Sequence, residues 1–313
     1  MLLKWLTIFL HILYSLVSNN LVKACGCQPR SYKPYLERSK FLVKLANSHK
    51  LSDLALIGTH SSFSYNLPNK EIQTQDLNIV QQLKYGIRVL DISVRPQFNT
   101  FEIYPFNFSK IFTLDNAIEI ANEFLDSNPG ELIVMLINQD HPSTYDLTLS
   151  NCDIMNFYIN DISNGKRLVK NWQFNDTIGQ HSGKILLAST DQSFDNCTFY
   201  IKDHCLIQNN EMIRKTKKSI SIEVKWWHIH QLRVKSATGS HKCYINNLSL
   251  LDGIHGRHQI ARDGGFTYLN GCAKPLNDLL TQSFTNSHRA LSIVLADYPT
   301  QELMDAINNS NFS

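Results

Sequence analysis

The sequence has no long hydrophobic run after its first residues, no marked excess of one charge, and no repeat or low-complexity segment. Without a later stretch of membrane-helix length, the mature chain is predicted to be soluble. The net charge of +3 is too small to indicate nucleic-acid binding, and the basic run at 214–218 lacks interleaved aromatic side chains. Because no Pro/Gly/Ser-rich linker divides the chain, we expect a single domain.

One apolar run does stand out, at the N-terminus. Residues 5–17 are apolar, follow Lys4, and precede small residues at Ser18 and Ala24 that suit signal-peptidase cleavage. Such a run is too short to cross a bilayer comfortably, which predicts a secretory signal peptide over residues 1–24 and an extracellular protein. The alternative is a retained signal anchor.

Cysteine and asparagine usage is also typical of a secreted protein. An odd total of seven cysteines leaves one unpaired or intermolecular, and the pairing of the others stays open. Cys25 and Cys27 have no second ligand pair at zinc spacing, so we predict neither a metal nor a cofactor. The Asn-x-Ser/Thr acceptors, not all of which we expect to be used, are Asn107, Asn175, Asn196, Asn247, Asn308 and Asn311.

Short apolar, β-branched runs alternate with helical patterns along the chain. Such runs predict eight strands, at 54–57, 87–92, 101–104, 132–137, 184–188, 220–227, 245–251 and 291–296. The helical patterns lie at 79–85, 115–127, 276–284 and 301–307. Strands that are apolar on both faces indicate a covered parallel sheet. We therefore predict an α/β fold, a distorted TIM-like (β/α)8 barrel over residues 51–311, preceded by an extension at 25–50.

Four of these strands carry side chains suited to chemistry at or near their carboxyl ends, where barrel enzymes place their active sites: His60, Asp91, Glu223 and Asp297. In a closed barrel the first and eighth strands are neighbours, so Asp297 can reach His60 and orient its ring. The alternatives are a surface histidine at His60 and a loop-capping carboxylate at Asp297.

Four segments in fixed order resemble one known family. Residues 58–62, 85–92, 124–134 and 296–299 read GTHSS, YGIRVLDI, FLDSNPGELIV and ADYP. Together they resemble the phosphatidylinositol-specific phospholipase C X-domain family, in its bacterial-like, calcium-independent branch. The resemblance implies a distorted TIM barrel that cleaves the phosphodiester of phosphatidylinositol, with the inositol 2-hydroxyl attacking phosphorus.

The resemblance also implies roles for particular residues. His60 would take the hydroxyl proton with help from Asp297, and Asp91 would belong to the catalytic shell. The family has an arginine two residues after that aspartate, where this chain has Ser93. If the strand continues, Arg95 lies on the same face and takes the place of that arginine; the alternative is a surface residue before Pro96.

The acid side of the family's site departs further. No histidine occurs in residues 101–109, where the family has the group that protonates the leaving oxygen. The expected replacements for this acid are Tyr104, His228, His230 and His255. The ordinary pKa of tyrosine, about 10, makes Tyr104 a poor proton donor. Substrate binding at the barrel mouth is predicted for Glu223, Trp226 and Tyr298.

Two functions remain open at this point. One is a secreted phosphodiesterase acting on phosphatidylinositol or a glycosyl-phosphatidylinositol anchor, with peripheral membrane contact. The other is a catalytically silent barrel that binds inositol phosphate head groups, glycans or a protein. A calcium-dependent variant would use Asp91 and Glu223, but the acidic cluster that such a metal needs is thin.

Overall fold

A curled sheet of parallel strands forms the centre of the molecule. The computed structural model describes residues 27–104, 111–140, 142–143, 149–160, 163–211, 221–239, 241–268, 271–284 and 290–312. The strands are β1 Ala55–Thr59, β2 Val89–Gln97, β3 Thr100–Tyr104, β4 Ile133–Gln139, β5 Leu168–Val169, β6 Ile185–Ser189, β7 Phe199–Tyr200, β8 Cys205–Gln208, β9 Cys243–Asn247, β10 Thr267–Tyr268, β11 Gly271–Cys272 and β12 Leu291–Ala296. The α-helices are α1 Ile79–Lys84, α2 Leu114–Ser127, α3 Asn151–Asn160, α4 Ile178–His181, α5 Ser221–Thr238, α6 Leu276–Ser283 and α7 Gln301–Asn309.

Eight parallel strands follow one another in the order β5-β6-β4-β2-β1-β12-β9-β8. The first and last strands of this path do not pair with each other among the described residues, so the sheet is an open, curled barrel. Pairing of β1 with β12, and of β1 with β2, brings three carboxyl ends together. The predicted α/β fold, a distorted TIM-like barrel, is confirmed.

Two of the eight predicted strands were wrong as barrel strands. Residues 101–104 form β3, which pairs antiparallel with β2 across the turn at Phe98 and Asn99, both of which have positive φ. The loop is too short for a crossover, so only a hairpin can form. The parallel path instead contains β5 and β8, two short strands that were not predicted. They replace the two predicted strands at 101–104 and 220–227.

Of the segment predicted as a sixth strand at 220–227, residues 221–227 fall in helix α5 instead, and residue 220 lies outside the described residues. Its apolar residues alternate, which imitates a strand over a short window. Over the longer segment, burial follows a helical spacing of three and four residues, through Ile222, Lys225, Ile229, Leu232 and Ser236. The segment therefore forms a helix, because burial of one continuous helical face over all of α5 outweighs the alternation within 220–227.

The strands divide the core into two layers. Leu56 and Leu295 belong to a cluster on one face of the sheet, whereas Ile57 and Ala296 belong to the larger cluster that includes α2 and α7. This alternation is the strand periodicity of two.

Disulfides join the described cysteines in three pairs, Cys27–Cys272, Cys152–Cys197 and Cys205–Cys243. The seventh cysteine, Cys25, lies outside the described residues, as do the predicted signal peptide and the basic run at 214–218. No helix in the described ranges has the length and apolar character needed to cross a membrane.

Burial limits which asparagines are accessible for glycosylation. Asn247, Asn308 and Asn311 are buried, and their amide nitrogens donate hydrogen bonds within the fold. Asn175 and Asn196 are exposed, and Asn107 lies outside the described residues. We therefore withdraw the three buried asparagines as acceptors, since a glycan would replace an internal hydrogen bond.

A candidate active site at the carboxyl ends of the strands

His60 follows directly after β1, and its backbone is fixed by several hydrogen bonds. Its amide donates to the carbonyl of Ala296 at 3.1 Å, and its carbonyl accepts from Gln75 Nε2 at 2.8 Å and Thr74 Oγ1 at 2.9 Å. Gly58 permits the close approach of β2, because a Cβ there would lie 2.7 Å from that of Val89. The imidazole is therefore held at a defined position.

The ring of His60 is paired with Asp297 at the end of β12. Nδ1 of His60 lies 2.8 Å from Oδ1 of Asp297, whose side chain is 1% exposed. Burial raises the pKa of Asp297, but His60, Arg257 and the Ser249 hydroxyl hold that pKa below its ordinary value. Burial lowers the pKa of His60, but Asp297 and its neighbouring carboxylates raise it to about 9. The pair is an orienting carboxylate and an imidazole made more basic.

Asp91 lies in β2 beside this pair. Its Oδ2 accepts from the amide of Ser61 at 3.1 Å, and its own amide donates to Ser62 Oγ at 2.9 Å. Burial raises the pKa of Asp91 to about 6, although the neighbouring His60 lowers it. This carboxyl therefore titrates close to the physiological range.

His60 and Asp91 open into a cleft of about 690 Å3. The lining is mostly polar and comes from strand ends around the sheet, with carboxylates and amides predominating. Its polar members are His60, Asp91, Ser93, Asn138, Asp140, Thr190, Asn209, Glu211 and Asn247. No lysine or arginine is part of this lining in the described segments. A ligand with several hydroxyl groups matches these hydrogen-bonding groups.

Two charged residues near His60 were missed by the sequence analysis. Glu211 follows β8, and its Oε2 lies 3.8 Å from Nε2 of His60. Arg257 donates to Glu211 Oε1 at 2.7 Å and lies 3.4 Å from Oδ2 of Asp297. The signal for Glu211 was hidden because the short strand before it was not predicted. Arg257 lies two residues after His255, the only residue of this segment that the sequence analysis named.

Other predicted site residues lie elsewhere. Nη2 of Arg95 is 2.8 Å from Oε2 of its cross-strand neighbour Glu102 on β3, and Arg95 does not line the cleft. Tyr298 is 3% exposed, and its hydroxyl donates to the carbonyl of Gln73 at 2.6 Å. Neither Tyr298 nor Arg95 lines the cleft. Substrate binding by Tyr298 and phosphate contact by Arg95 therefore stay predictions.

Helix α5 carries four of the predicted residues away from the cleft lining. Glu223 is exposed in the first turn, and Trp226 packs partly buried against the core. His230 lies against the Trp226 ring, with ring centroids 5.9 Å apart, and His228 faces a separate groove beside Trp227. Their predicted placement depended on a strand, and the helix gives these side chains other directions.

The remaining candidates for the acid do not line the cleft either. Nδ1 of His255 lies 2.8 Å from Asp252, and its ring stacks on Phe266. Tyr104 ends β3 and is also absent from the lining. Within the described residues, no group of three or more His, Cys, Asp or Glu side chains is arranged to hold a metal ion. The geometry thus assembles the base side of the predicted site only.

Comparison with known proteins gives related sequences and folds. No family model matches the chain. It is 24% identical over 290 residues to 1-phosphatidylinositol phosphodiesterase of Listeria monocytogenes, covering 88% of this chain and 86% of the relative. It is 26% identical over 273 residues to the protein of the same name from Staphylococcus aureus, covering 79% of this chain and 81% of the relative.

Solved structures share the fold. The chain matches a phosphatidylinositol-specific phospholipase C structure from Staphylococcus aureus with a TM-score of 0.63 and 19% identity, over 86% of this chain and 97% of the other. It matches the Listeria monocytogenes structure with a TM-score of 0.59 and 22% identity, over 88% and 99%. At this identity the structural likeness supports the barrel architecture.

Proposed function

We propose that this chain is a divergent member of the phosphatidylinositol-specific phospholipase C family and that it cleaves the phosphodiester of phosphatidylinositol. The observation that carries the proposal is the hydrogen-bonded His60–Asp297 pair, whose histidine lines a polar cleft. The two residues come from opposite ends of the sequence and meet because β1 and β12 are neighbours. A silent binding barrel is less favoured because it gives no reason for this arrangement.

In the proposed reaction, Nε2 of His60 takes the proton of the inositol 2-hydroxyl as its oxygen attacks phosphorus. The bond from phosphorus to the diacylglycerol oxygen breaks, giving inositol 1,2-cyclic phosphate and diacylglycerol. Asp297 fixes the ring through Nδ1 and stabilises the imidazolium that forms. Asp91 fixes the backbone next to the base, because its Oδ2 accepts from the amide of Ser61 and its carbonyl accepts from the amide of Ser62.

The leaving oxygen also needs a proton. No predicted replacement acid lines the described cleft, so we infer that water supplies this proton. A positioned general acid contributes about 10²- to 10⁴-fold, so we expect turnover that is slow by about that factor. The arginine of the family pattern is Ser93 here, which removes a further source of phosphate stabilisation.

Lipid contact is supported by the loops after the strand ends. Exposed apolar side chains occur there at Ile72, Phe98 and Ile254, which are 40%, 71% and 59% exposed. One of the related structures concerns membrane binding of the Staphylococcus aureus enzyme. We propose a peripheral contact of this rim with a membrane that presents phosphatidylinositol or a glycosyl-phosphatidylinositol anchor. The three disulfides support a secreted location.

The test is release of inositol cyclic phosphate from labelled phosphatidylinositol vesicles, with and without chelator. We expect slow turnover that survives chelator and disappears in His60→Ala. A matched control is His49→Ala, a histidine in the N-terminal segment that does not line the cleft. Turnover equal in the wild type and His60→Ala would overturn the proposal, and loss on chelation would overturn its metal-independent form.

A further inference from the structure

Arg257 joins four segments around the candidate active site. Its Nε donates to the carbonyl of Glu71 at 3.3 Å, and its Nη1 donates to Ser249 Oγ at 2.6 Å. Its guanidinium also lies 2.7 Å from Glu211 and 3.4 Å from Asp297. The side chain is 10% exposed, so these contacts are largely shielded from water. A planar guanidinium suits this task because its donors have fixed directions.

The consequence is a particular environment for His60. Asp297 lies at its Nδ1 and Glu211 at its Nε2, with separations of 2.8 and 3.8 Å. Two carboxylates around one ring repel each other unless a cation lies between them. Arg257 contacts Oδ2 of Asp297 and Oε1 of Glu211. The other oxygen of each carboxylate, Oδ1 of Asp297 and Oε2 of Glu211, is directed at the His60 ring.

Glu211 is held in place by its backbone as well as by Arg257. Its carbonyl accepts from the amide of Leu251 at 3.0 Å, and its amide donates to the carbonyl of Asn209 at 3.0 Å. The buried Lys225 of α5 donates to the adjacent carbonyl of Asn210 at 2.9 Å. The position of the carboxylate near His60 is thus determined by β8, α5 and the loop after β9.

We propose that Arg257 is a positioning residue that holds Glu211 against Nε2 of His60 while it orients Asp297 at Nδ1. This inference rests on the proposed function, since it concerns the base of that reaction. When His60 accepts the substrate proton, the imidazolium lies between two oriented carboxylates. One guanidinium prevents these carboxylates from repelling each other in the resting site. Arg257 acts through its neighbours and does not itself line the cleft.

The variants Arg257→Gln and Glu211→Gln should move the pKa of His60 in opposite directions. Loss of Arg257 leaves two uncompensated carboxylates and raises that pKa, whereas loss of the Glu211 charge lowers it. We expect shifts of about 0.5 to 1 pH unit each, and a double variant closer to the wild type than either single one. The other charged groups facing this region are Asp91 of β2, Asp140 after β4 and Lys225 of α5, and all stay unchanged.

The measurement is ring-nitrogen NMR titration of His60, together with the acidic limb of kcat/KM. The titration needs no substrate, so it decides the inference even if the wild type proves inactive and the proposed function fails. Arg257→Lys keeps the charge and should retain most of the wild-type His60 pKa, while kcat falls because orientation is lost. Its retained charge also makes it informative if Arg257→Gln does not fold.

A matched control is Arg262→Gln. Arg262 pairs with Asp76 at 2.9 Å on the rim and makes no ion pair with Glu211 or Asp297 in the described structure. We expect no shift of the His60 pKa in this variant. Equal shifts in the same direction for the two test variants, or no shift in either, would overturn the proposed role of Arg257.

Discussion

At the residue scale, the protonation state of His60 determines how the proposed reaction depends on pH. Its pKa is raised to about 9 by Asp297, Glu211 and Asp91. The base must be neutral to accept a proton, so kcat/KM should rise about tenfold per pH unit up to about pH 9. Because none of the predicted replacement acids lines the described cleft, we expect no loss of kcat/KM at higher pH until the protein unfolds.

This prediction is checked by a kcat/KM profile from pH 6 to 10, alongside Asp297→Asn. That variant removes the carboxylate at Nδ1, which should lower the His60 pKa and reduce kcat by about 10²- to 10⁴-fold. A bell-shaped wild-type profile would instead indicate an acid that has not been identified. A wild-type profile independent of pH below 9 would argue against His60 as the base.

Asp91 gives a second prediction at this scale, concerning stability. Its pKa is about 6 in the fold and about 4 in an unfolded chain, so the folded state binds its proton more tightly. That contribution to stability is fully present below about pH 4 and is lost as the pH rises through 6. An asparagine at this position does not titrate, so Asp91→Asn does not lose stability in this way as the pH rises. Its amide oxygen can still accept the hydrogen bond from the Ser61 amide.

The stability of Asp91→Asn relative to the wild type should therefore increase between pH 4 and 7. We expect a gain of about 1 to 3 kcal/mol in the difference between their free energies of unfolding. Urea denaturation at several pH values measures it. A difference that stays constant with pH would show that burial does not raise the pKa of this carboxyl.

At the element scale, a buried ion pair joins β2 and β4 to the N-terminal segment, at the end of the sheet away from the cleft. Nη2 of Arg88 lies 2.8 Å from Oε2 of Glu131, and both side chains are fully buried. Arg88 also donates to the carbonyls of Arg38 and Ser39, and Glu131 accepts from the amide of Val43. Nε, Nη1 and Nη2 of the Arg88 guanidinium all donate hydrogen bonds to acceptors within the fold.

Glu131→Gln should destabilise the protein by about 3 to 5 kcal/mol, because it leaves a buried arginine without its counter-charge. The activity of each folded molecule should change little, since the pair lies far from the strand ends that carry His60. Urea denaturation and turnover per folded protein test both parts. The control is Asp305→Asn, which breaks the partly exposed Arg38 pair and should cost less than about 1 kcal/mol. Equal losses in the two variants would contradict the prediction.

At the scale of the whole molecule, the Cys27–Cys272 disulfide joins parts of the chain separated by 245 residues. It joins the N-terminal segment to the antiparallel pair of β10 and β11. Nearby, Pro29 and Gly264 form an isolated antiparallel β-bridge. A cross-link over so long a loop restricts the unfolded chain strongly. Removal of a native disulfide typically costs about 2 to 5 kcal/mol of stability.

The double variant Cys27→Ser/Cys272→Ser should therefore lower the free energy of unfolding by that amount. Hydrogen exchange of residues near 27–40 should also increase, because this segment loses its covalent attachment. Cys152→Ser/Cys197→Ser, which opens a separation of 45 residues, is the comparison. It should leave exchange of the N-terminal segment unchanged, and a result in which both variants increase that exchange equally would argue against a local role for the first disulfide.

The sequence by itself determined the α/β class, the barrel, and the blocks that contain His60, Asp91 and Asp297. These features are local, since a short apolar run followed by a glycine or polar residue marks a strand end without knowledge of the rest. The helices α1, α2, α6 and α7 were predicted close to their observed bounds for the same reason, as each buries a face with helical spacing. The pairing of the first and last strands followed from closure of the predicted barrel.

Only the tertiary structure decided which side chains face His60. Glu211 and Arg257 are 46 residues apart and share no local pattern, yet their side chains are 2.7 Å apart because β8 and the loop after β9 meet at the cleft. The alternation at 220–227 predicted a strand, but burial of one helical face over α5 outweighed it and moved Glu223, Trp226, His228 and His230 away. Periodicity reports the local backbone, whereas an active site depends on which strand ends become neighbours when the sheet curls.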